Sequence, residues 1–204
     1  MKILLIFLLS MAPLFSHAGF TKGNGGNILV CRNSQNVVLD YFEMKELFGF
    51  SYNEELKNLD QRKEFFKVIQ DKINSIDADL ANEFQLVNHN LESNSIFIDV
   101  TNMGKIDDVF DIFLPIDCEL TQAIIQRNNR LIISKPLFES ISTSQQNILI
   151  LHEVLYSLLL KRQKLNDSRP VRALVSFLIS QNQTSMTNQE VLLFMKKNQI
   201  FLRQ

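Results

Sequence analysis

A histidine and a glutamate stand side by side within a run of aliphatic residues, and they are well placed to do chemistry. The run extends from Ile148 to Leu160 and reads ILILHEVLYSLLL. His152 and Tyr156 are four residues apart and would share one face of a helix, with Glu153 and Ser157 on the adjacent face. Imidazole and carboxylate side chains transfer protons and bind metal ions. The first catalytic candidates are therefore His152, Glu153 and Tyr156.

The residues around this pair predict a buried helix over about 144–161, around which the fold is organised. Thr143 and Gln146 form a capping-box pattern at its start. Neither Pro nor Gly interrupts the run that follows, and Lys161 and Arg162 suit the negative end of a helix dipole. Leucine and isoleucine lie on every side of this helix, which indicates burial all round.

A carboxylate in such a helix needs a partner, because an unpaired buried charge is costly. The nearest arginines on a following segment are Arg169 and Arg172, in NDSRPVRALVSFLIS. The favoured interpretation is a buried polar network in which Glu153 pairs with Arg172 or Arg169. Under the alternative interpretation these groups act on a substrate, and Arg172 joins the catalytic candidates.

The segment LILHEVLY is similar to the active helix of zinc-dependent peptidases, whose motif is H-E-x-x-H. His152 and Glu153 match its first two positions, but Tyr156 stands in place of the second histidine. The only other histidine after residue 18 is His89, so the usual three-ligand site is incomplete. We therefore predict neither a metal site nor a cofactor, with a hydrolase carrying a degenerate zinc-peptidase-like site as the alternative. A G-x-S-x-G motif is absent, whereas a glycosidase that uses two carboxylates stays open.

The length and composition predict one globular domain, and the N-terminal pattern predicts that it is exported. The chain has 204 residues, 46% of them hydrophobic, and a net charge of −1, which points to neither nucleic acid nor an anionic membrane as partner. Residues 1–18 follow the signal-peptide pattern, with Lys2, the apolar core ILLIFLL and the cleavage site SHA. We expect a mature chain 19–204, periplasmic or secreted, with no stable membrane span and an unknown partner. The alternative for residues 1–18 is a membrane anchor or a buried N-terminal helix.

Two cysteines, Cys31 and Cys118, predict one disulfide bond, because exported proteins commonly pair an even number of cysteines. Two buried free thiols are the alternative. The bond would tie a strand near the N-terminus to the middle of the chain.

The remaining patterns predict a single α+β domain, in which a small antiparallel sheet packs with helices around the central helix. Strands are expected at 27–32, 36–42, 96–100, 109–114, 122–126 and 130–134, the last two as a hairpin with Asn128 and Asn129 in its turn. Further helices are expected over about 168–180, with Pro170 in the first turn, and after a capping box of Thr187 and Glu190.

Residues 53–87 carry one apolar stripe on a long helix or on two consecutive helices, opposite a face of mixed charge. The polar stretch around His89 is expected to be a loop. Core packing is the favoured role of the stripe, and a partner-binding module using the helical face of 53–87 is the alternative.

Three segments together resemble uncharacterised exported bacterial proteins. The segments are G-N-G-G-x-x-x-x-C at 23–31, H-E-x-L-Y at 152–156 and D-S-R-x-V-R at 167–172. The resemblance implies export and a shared fold, and it implies no activity. The function that the sequence favours is an exported soluble protein with a structural or binding role.

Overall fold

The computed structural model of the chain describes residues 26–57, 59, 61–104, 113–127 and 129–201. In these ranges the chain forms eight α-helices and six β-strands, which confirms the α+β fold class. The expected signal peptide, residues 1–18, lies outside the described residues. No helix within the described ranges is long and apolar enough to cross a membrane.

The strands form two sheets of three strands each. They are β1 (Asn27–Cys31), β2 (Val37–Val38), β3 (Ile96–Ile98), β4 (Cys118–Gln122), β5 (Ile124–Arg127) and β6 (Arg130–Ser134). In the first sheet β1 lies between β2 and β4 and is antiparallel to both. In the second, β6 is parallel to β3 and antiparallel to β5. The sheets are small, as expected. The sequence predicted one antiparallel sheet, whereas the structure has two sheets, and the second contains both parallel and antiparallel strand pairs.

One residue joins the two sheets. Ala123, between β4 and β5, donates its N–H to the carbonyl of Gly26 at 2.7 Å and accepts from the N–H of Ser134 at 2.8 Å. The chain therefore passes from the first sheet into the second without a loop.

The helices surround one long central helix. They are α1 (Leu39–Glu46), α2 (Glu54–Lys57), α3 (Arg62–Asn74), α4 (Ala78–Ser93), α5 (Lys135–Glu139), α6 (Thr143–Arg162), α7 (Arg169–Ile179) and α8 (Asn188–Lys197). Every residue of α6 from Asn147 to Leu159 is buried, as the all-round apolar pattern predicts. The helix packs against α1, α4 and α7. Its cap is Ser142, whose hydroxyl accepts from the N–H of Gln145 at 3.4 Å, so the cap lies one residue before the predicted Thr143.

The predicted strand 36–42 is wrong beyond its first residues. Only Val37 and Val38 are extended, and α1 begins at Leu39. The segment LDYFEMKE buries four residues at helical spacing, and they are Leu39, Asp40, Glu43 and Met44. The segment NVVLDYF is rich in residues with high strand propensity. Strand propensity depends strongly on context, and here the burial of α1 against α6 and α7 outweighs it.

The region 53–87 forms α2, α3 and the first part of α4. The members of its apolar stripe that face the core include Phe66, Ile69, Ile73 and Phe84, all buried. Asp77 starts α4 by accepting from the N–H of Leu80 at 2.8 Å. Burial of the stripe supports the core-packing interpretation of this region.

The helix α4 continues to Ser93, so His89 lies on a helix and the predicted loop there is wrong. Leu91 explains the extension, because it is buried and continues the apolar stripe past the polar residues.

Other predicted elements agree closely with the structure. The β5–β6 hairpin forms, and Asn129 has a φ of 58°, the left-handed conformation that its turn requires. Pro170 lies in the first turn of α7, and Thr187 with Glu190 forms the capping box of α8. Most of the predicted strand 109–114 falls outside the described residues.

The predicted disulfide is present. Cys31 of β1 and Cys118 of β4 are directly opposed in the first sheet and are bonded to each other. The bond closes a loop across 87 positions of the sequence.

Candidate functional site

Five ionisable side chains lie together where α1, α6 and α7 meet, and we call them the polar cluster. They are Asp40 and Glu43 from α1, His152 and Glu153 from α6, and Arg172 from α7. Each residue is at most 2% exposed. Buried ionisable groups at such density are stable only when they are paired with one another.

His152 is paired with Asp40. The distance from His152 Nδ1 to Asp40 Oδ1 is 2.7 Å, and the ring of Tyr156 stacks on the imidazole at 6.3 Å between centroids. Burial lowers the pKa of His152, but the charge of Asp40, its hydrogen bond and the charge of Glu153 outweigh burial and raise this pKa to about 9. The imidazole is therefore protonated at neutral pH, and its Nδ1–H donates to Asp40.

Arg172 is paired with Glu43. Its Nε donates to Glu43 Oε2 at 2.7 Å, and its Nη1 donates to the hydroxyl of Ser168. The expectation that Arg172 or Arg169 pairs with Glu153 is wrong. Arg169 instead binds Asp167 at 2.7 Å near the surface. The reason is that α1, which the sequence presents as a strand, supplies the partner carboxylate.

Glu153 is held differently from the other two carboxyl groups. Within the described residues, its Oε1 has no hydrogen-bond partner. Gly26 packs directly on this oxygen, because a Cβ built on Gly26 would lie 3.0 Å from it. Burial raises the pKa of Glu153 to about 7, the charge of His152 opposes that rise, and the charge of Asp40 adds to it.

The charges of the polar cluster balance when Glu153 holds a proton. Asp40 and Glu43 then face two cations, the imidazolium of His152 and the guanidinium of Arg172. A neutral, hydrogen-bonded set of ions is the arrangement that a buried site tolerates best. The two ion pairs of the cluster connect α1 to α6 and α1 to α7.

Among the described residues, no three His, Cys, Asp or Glu side chains are grouped closely enough to hold a metal ion. Tyr156 stands at the second-histidine position of the zinc-peptidase motif, and His89, on α4, is exposed and is not among the cluster residues.

The sequence predicted that His152, Glu153 and Arg172 lie close together, but it did not identify Asp40 and Glu43 as their neighbours. The missed signal is the spacing of polar and apolar residues in LDYFEMKE, where two acidic residues share the face of Leu39 and Met44. The hydroxyl of Ser176 in α7 also donates to the backbone carbonyl of Asp40 at 3.2 Å, which anchors the start of α1.

The three segments that resemble exported bacterial proteins, at 23–31, 152–156 and 167–172, each contribute a residue to this site. Gly26, the last glycine of GNGG, contacts Glu153, and Arg172 of the D-S-R-x-V-R segment lies in the same cluster. The short motifs are therefore neighbours in space although they are distant along the chain.

Comparison with known proteins gives no further guide to this site. No protein-family model, no curated protein and no solved structure matches the chain.

Proposed function

We propose that the chain is an exported soluble protein with a structural or binding role, in which the polar cluster holds the fold together and does not act on a substrate. The observation that carries this proposal is the burial of His152. The residue is 1% exposed, and its Nδ1 is hydrogen-bonded to Asp40. A general base or a metal ligand must reach a substrate or an ion, and a packed, ion-paired imidazole is poorly suited to that task.

Export is part of the proposal. A disulfide between Cys31 and Cys118 supports it, because disulfide bonds persist in oxidising compartments and are rare in the cytosol. The signal-peptide pattern of residues 1–18 and the resemblance to exported bacterial proteins point in the same direction.

A hydrolase that uses His152 and Glu153 is the second candidate, and one observation favours it. Glu153 combines a raised pKa with an Oε1 that has no partner among the described residues. A buried carboxyl group with a pKa near neutrality is the state that general acid–base catalysis uses.

Zinc binding separates the two candidates. We expect the thermal unfolding midpoint of the purified protein to be the same with added Zn²⁺ and with a chelator, because the polar cluster offers no complete ligand set. A zinc-dependent rise in the midpoint that disappears in His152→Ala would support the hydrolase. His89→Ala is the matched control, since it removes the exposed histidine of α4 and leaves the polar cluster intact.

A further inference from the structure

The outer face of α8 is not the polar face that a surface helix normally presents to solvent. The inner face packs on the core through Val191, Phe194 and Met195. On the outer side, Leu192 and Leu193 are 54% and 59% exposed. Two large aliphatic side chains, adjacent along the helix, therefore lie in solvent, where they add nothing to the core.

A third exposed apolar side chain lies beyond the end of α8. Phe201 is 67% exposed, although its backbone is held in place. Its N–H donates to Gln163 Oε1 at 3.0 Å, and Gln163 Nε2 donates to the carbonyl of Gln199 at 2.9 Å. Because Gln163 is the C-cap of α6, these hydrogen bonds attach the segment after α8 to the end of the central helix. The ring of Phe201 is thus presented at a fixed place on the surface.

Lysines surround these apolar side chains. Lys196 and Lys197 each lie four residues after one of the exposed leucines, so each shares a face of α8 with that leucine. Lys164, Lys197 and Phe201 line one depression of about 280 Å³, where the ends of α6 and α8 meet. None of these three lysines forms an ion pair within the described ranges. Their charges are therefore available to an anionic partner.

The local charge differs from that of the whole chain. Between residues 160 and 201 the sequence has seven Lys and Arg and two Asp and Glu, against 21 and 22 in the full chain. Arg162 and Arg172 are paired with carboxylates of α4 and α1, and Arg169 is paired with Asp167. The remaining basic residues are four lysines, and the remaining acidic residue, Glu190, caps the opposite end of α8. A net charge near zero thus conceals a basic surface at the ends of α6 and α8.

We propose that this surface, made of the outer face of α8 with Lys164 and Phe201, binds peripherally to an anionic phospholipid bilayer. The leucines and the phenyl ring enter the boundary between headgroups and acyl chains, while the lysines attract the lipid phosphates. Aliphatic and cationic side chains interleaved on one helix face are typical of interfacial helices, which favours a bilayer over an acidic protein.

The proposal rests on the binding role proposed above and names its partner. It does not depend on the chemistry of the polar cluster, because no residue of that cluster belongs to the surface. Failure to bind vesicles would leave the zinc measurement unchanged, so the two proposals fail separately.

The direct test is titration of the purified protein with lipid vesicles, followed by flotation. Vesicles of equal parts phosphatidylglycerol and phosphatidylcholine are anionic, and vesicles of phosphatidylcholine alone are the neutral control. We expect reversible binding to the anionic vesicles, at least about tenfold tighter than to the neutral ones at low salt, and weaker as salt screens the lysines. Equal binding to both kinds of vesicle would overturn the proposal. Absence of binding would also overturn it and would leave the surface to an acidic protein.

A matched pair of leucine variants locates the apolar contact. Leu193→Gln should weaken binding to the anionic vesicles about fivefold or more, because an aliphatic side chain no longer enters the bilayer. Leu86→Gln is the control, since Leu86 is 66% exposed on α4, outside the surface, and it should leave binding unchanged. Binding that is insensitive to Leu193→Gln would contradict the proposed contact.

A matched pair of double lysine variants locates the charged contact. Changing Lys164 and Lys197 together to Gln should weaken binding about tenfold or more at low salt. Changing Lys63 and Lys67 of α3 together to Gln removes the same charge at exposed positions outside the surface and should have a much smaller effect. Equal effects of the two double variants would reduce the interaction to general charge attraction and overturn the proposal.

Discussion

The polar cluster contains three carboxyl groups and two cations, and Glu153 is the carboxyl group that is paired with neither cation. Asp40 and Glu43 have direct partners, at 2.7 Å each, in His152 and Arg172. Glu153 lies against Gly26, and burial there favours its neutral form, which raises its pKa to about 7. The protonation state of one side chain therefore affects the stability of the whole site.

The first prediction concerns pH and Glu153. Its folded pKa of about 7 lies above the ordinary 4.5, so its stabilising contribution is complete below 4.5 and is lost as pH rises through 7. His152, with a folded pKa of about 9 against 6.5, loses its contribution as pH rises from 6.5 through 9. Wild-type stability should therefore fall as the solution becomes alkaline.

Glu153→Gln keeps the shape of the neutral acid. It should therefore remove the part of the stability loss that comes from ionisation of Glu153. We expect it to match wild type near about pH 5 and to exceed wild type by on the order of 1 kcal/mol or more near about pH 8. Urea unfolding at both pH values measures this difference. Glu139→Gln, at an exposed position on α5, is the control and should show no such trend. A Glu153→Gln protein less stable than wild type at the higher pH would contradict the assignment.

Gly26 offers a second prediction at the same scale. Its φ is +58°, and an added Cβ would lie 2.5 Å from the Cβ of Ile124 and 3.0 Å from Glu153 Oε1. Gly49 has a similar φ of +63° but open space around it. Gly49→Ala should cost about 1 kcal/mol for the backbone alone, whereas Gly26→Ala should cost at least about 1–2 kcal/mol more through the clash. Equal losses in urea unfolding would mean that Gly26 is not packed against Ile124 and Glu153 in this way.

Among the elements, α6 was predictable and α1 was not. A continuous aliphatic run flanked by polar residues specifies a buried helix by itself, and α6 lies within one residue of its predicted bounds. By contrast, α1 has eight residues, follows a valine pair and becomes helical through its contacts with α6 and α7. Local sequence cannot encode such contacts.

The same limit explains the error over the partner of Arg172. The sequence identified a buried arginine and a buried glutamate that each need a partner. The choice between Glu153 and Glu43 depends on where α1 packs, and that is a property of the tertiary structure. The disulfide and the capping box of α8 were predictable, because cysteine count and the Thr187–Glu190 spacing are local signals.

The third prediction concerns the junction of α6 with α4. Arg162 donates to Glu83 from Nε and Nη2, both at 3.1 Å, and to Asp77 from Nη1 at 3.2 Å, with its side chain 4% exposed. Arg162→Ala should lower the free energy of unfolding by about 2 kcal/mol, because both carboxylates lose a charged partner. Arg169→Ala, which breaks an exposed pair with Asp167, should cost under about 1 kcal/mol. Similar losses for the two variants would contradict the special role of Arg162.

For the whole molecule, two constraints set the arrangement of sheet and helices. The disulfide fixes β1 to β4, and closing that long loop contributes about 4.5 kcal/mol by the chain-entropy estimate. The polar cluster fixes α1 to α6 and α7 through ion pairs that span the helices. Gly26 links the two, since it immediately precedes β1 and packs on Glu153. A change at the cluster should therefore alter the free energy of unfolding of the whole domain.

The most direct measurement is a double-mutant cycle on Arg172 and Glu43, followed by urea unfolding at neutral pH. Each single change to alanine should cost about 3 kcal/mol, because it strands the partner charge in the core. The double mutant should cost clearly less than the sum, since both charges are then gone. The cycle of Arg172 with Glu153 is the control and should show a smaller coupling, because these two residues are not paired. Additive losses for Arg172 and Glu43, or single variants as stable as wild type, would contradict a structural role for the polar cluster.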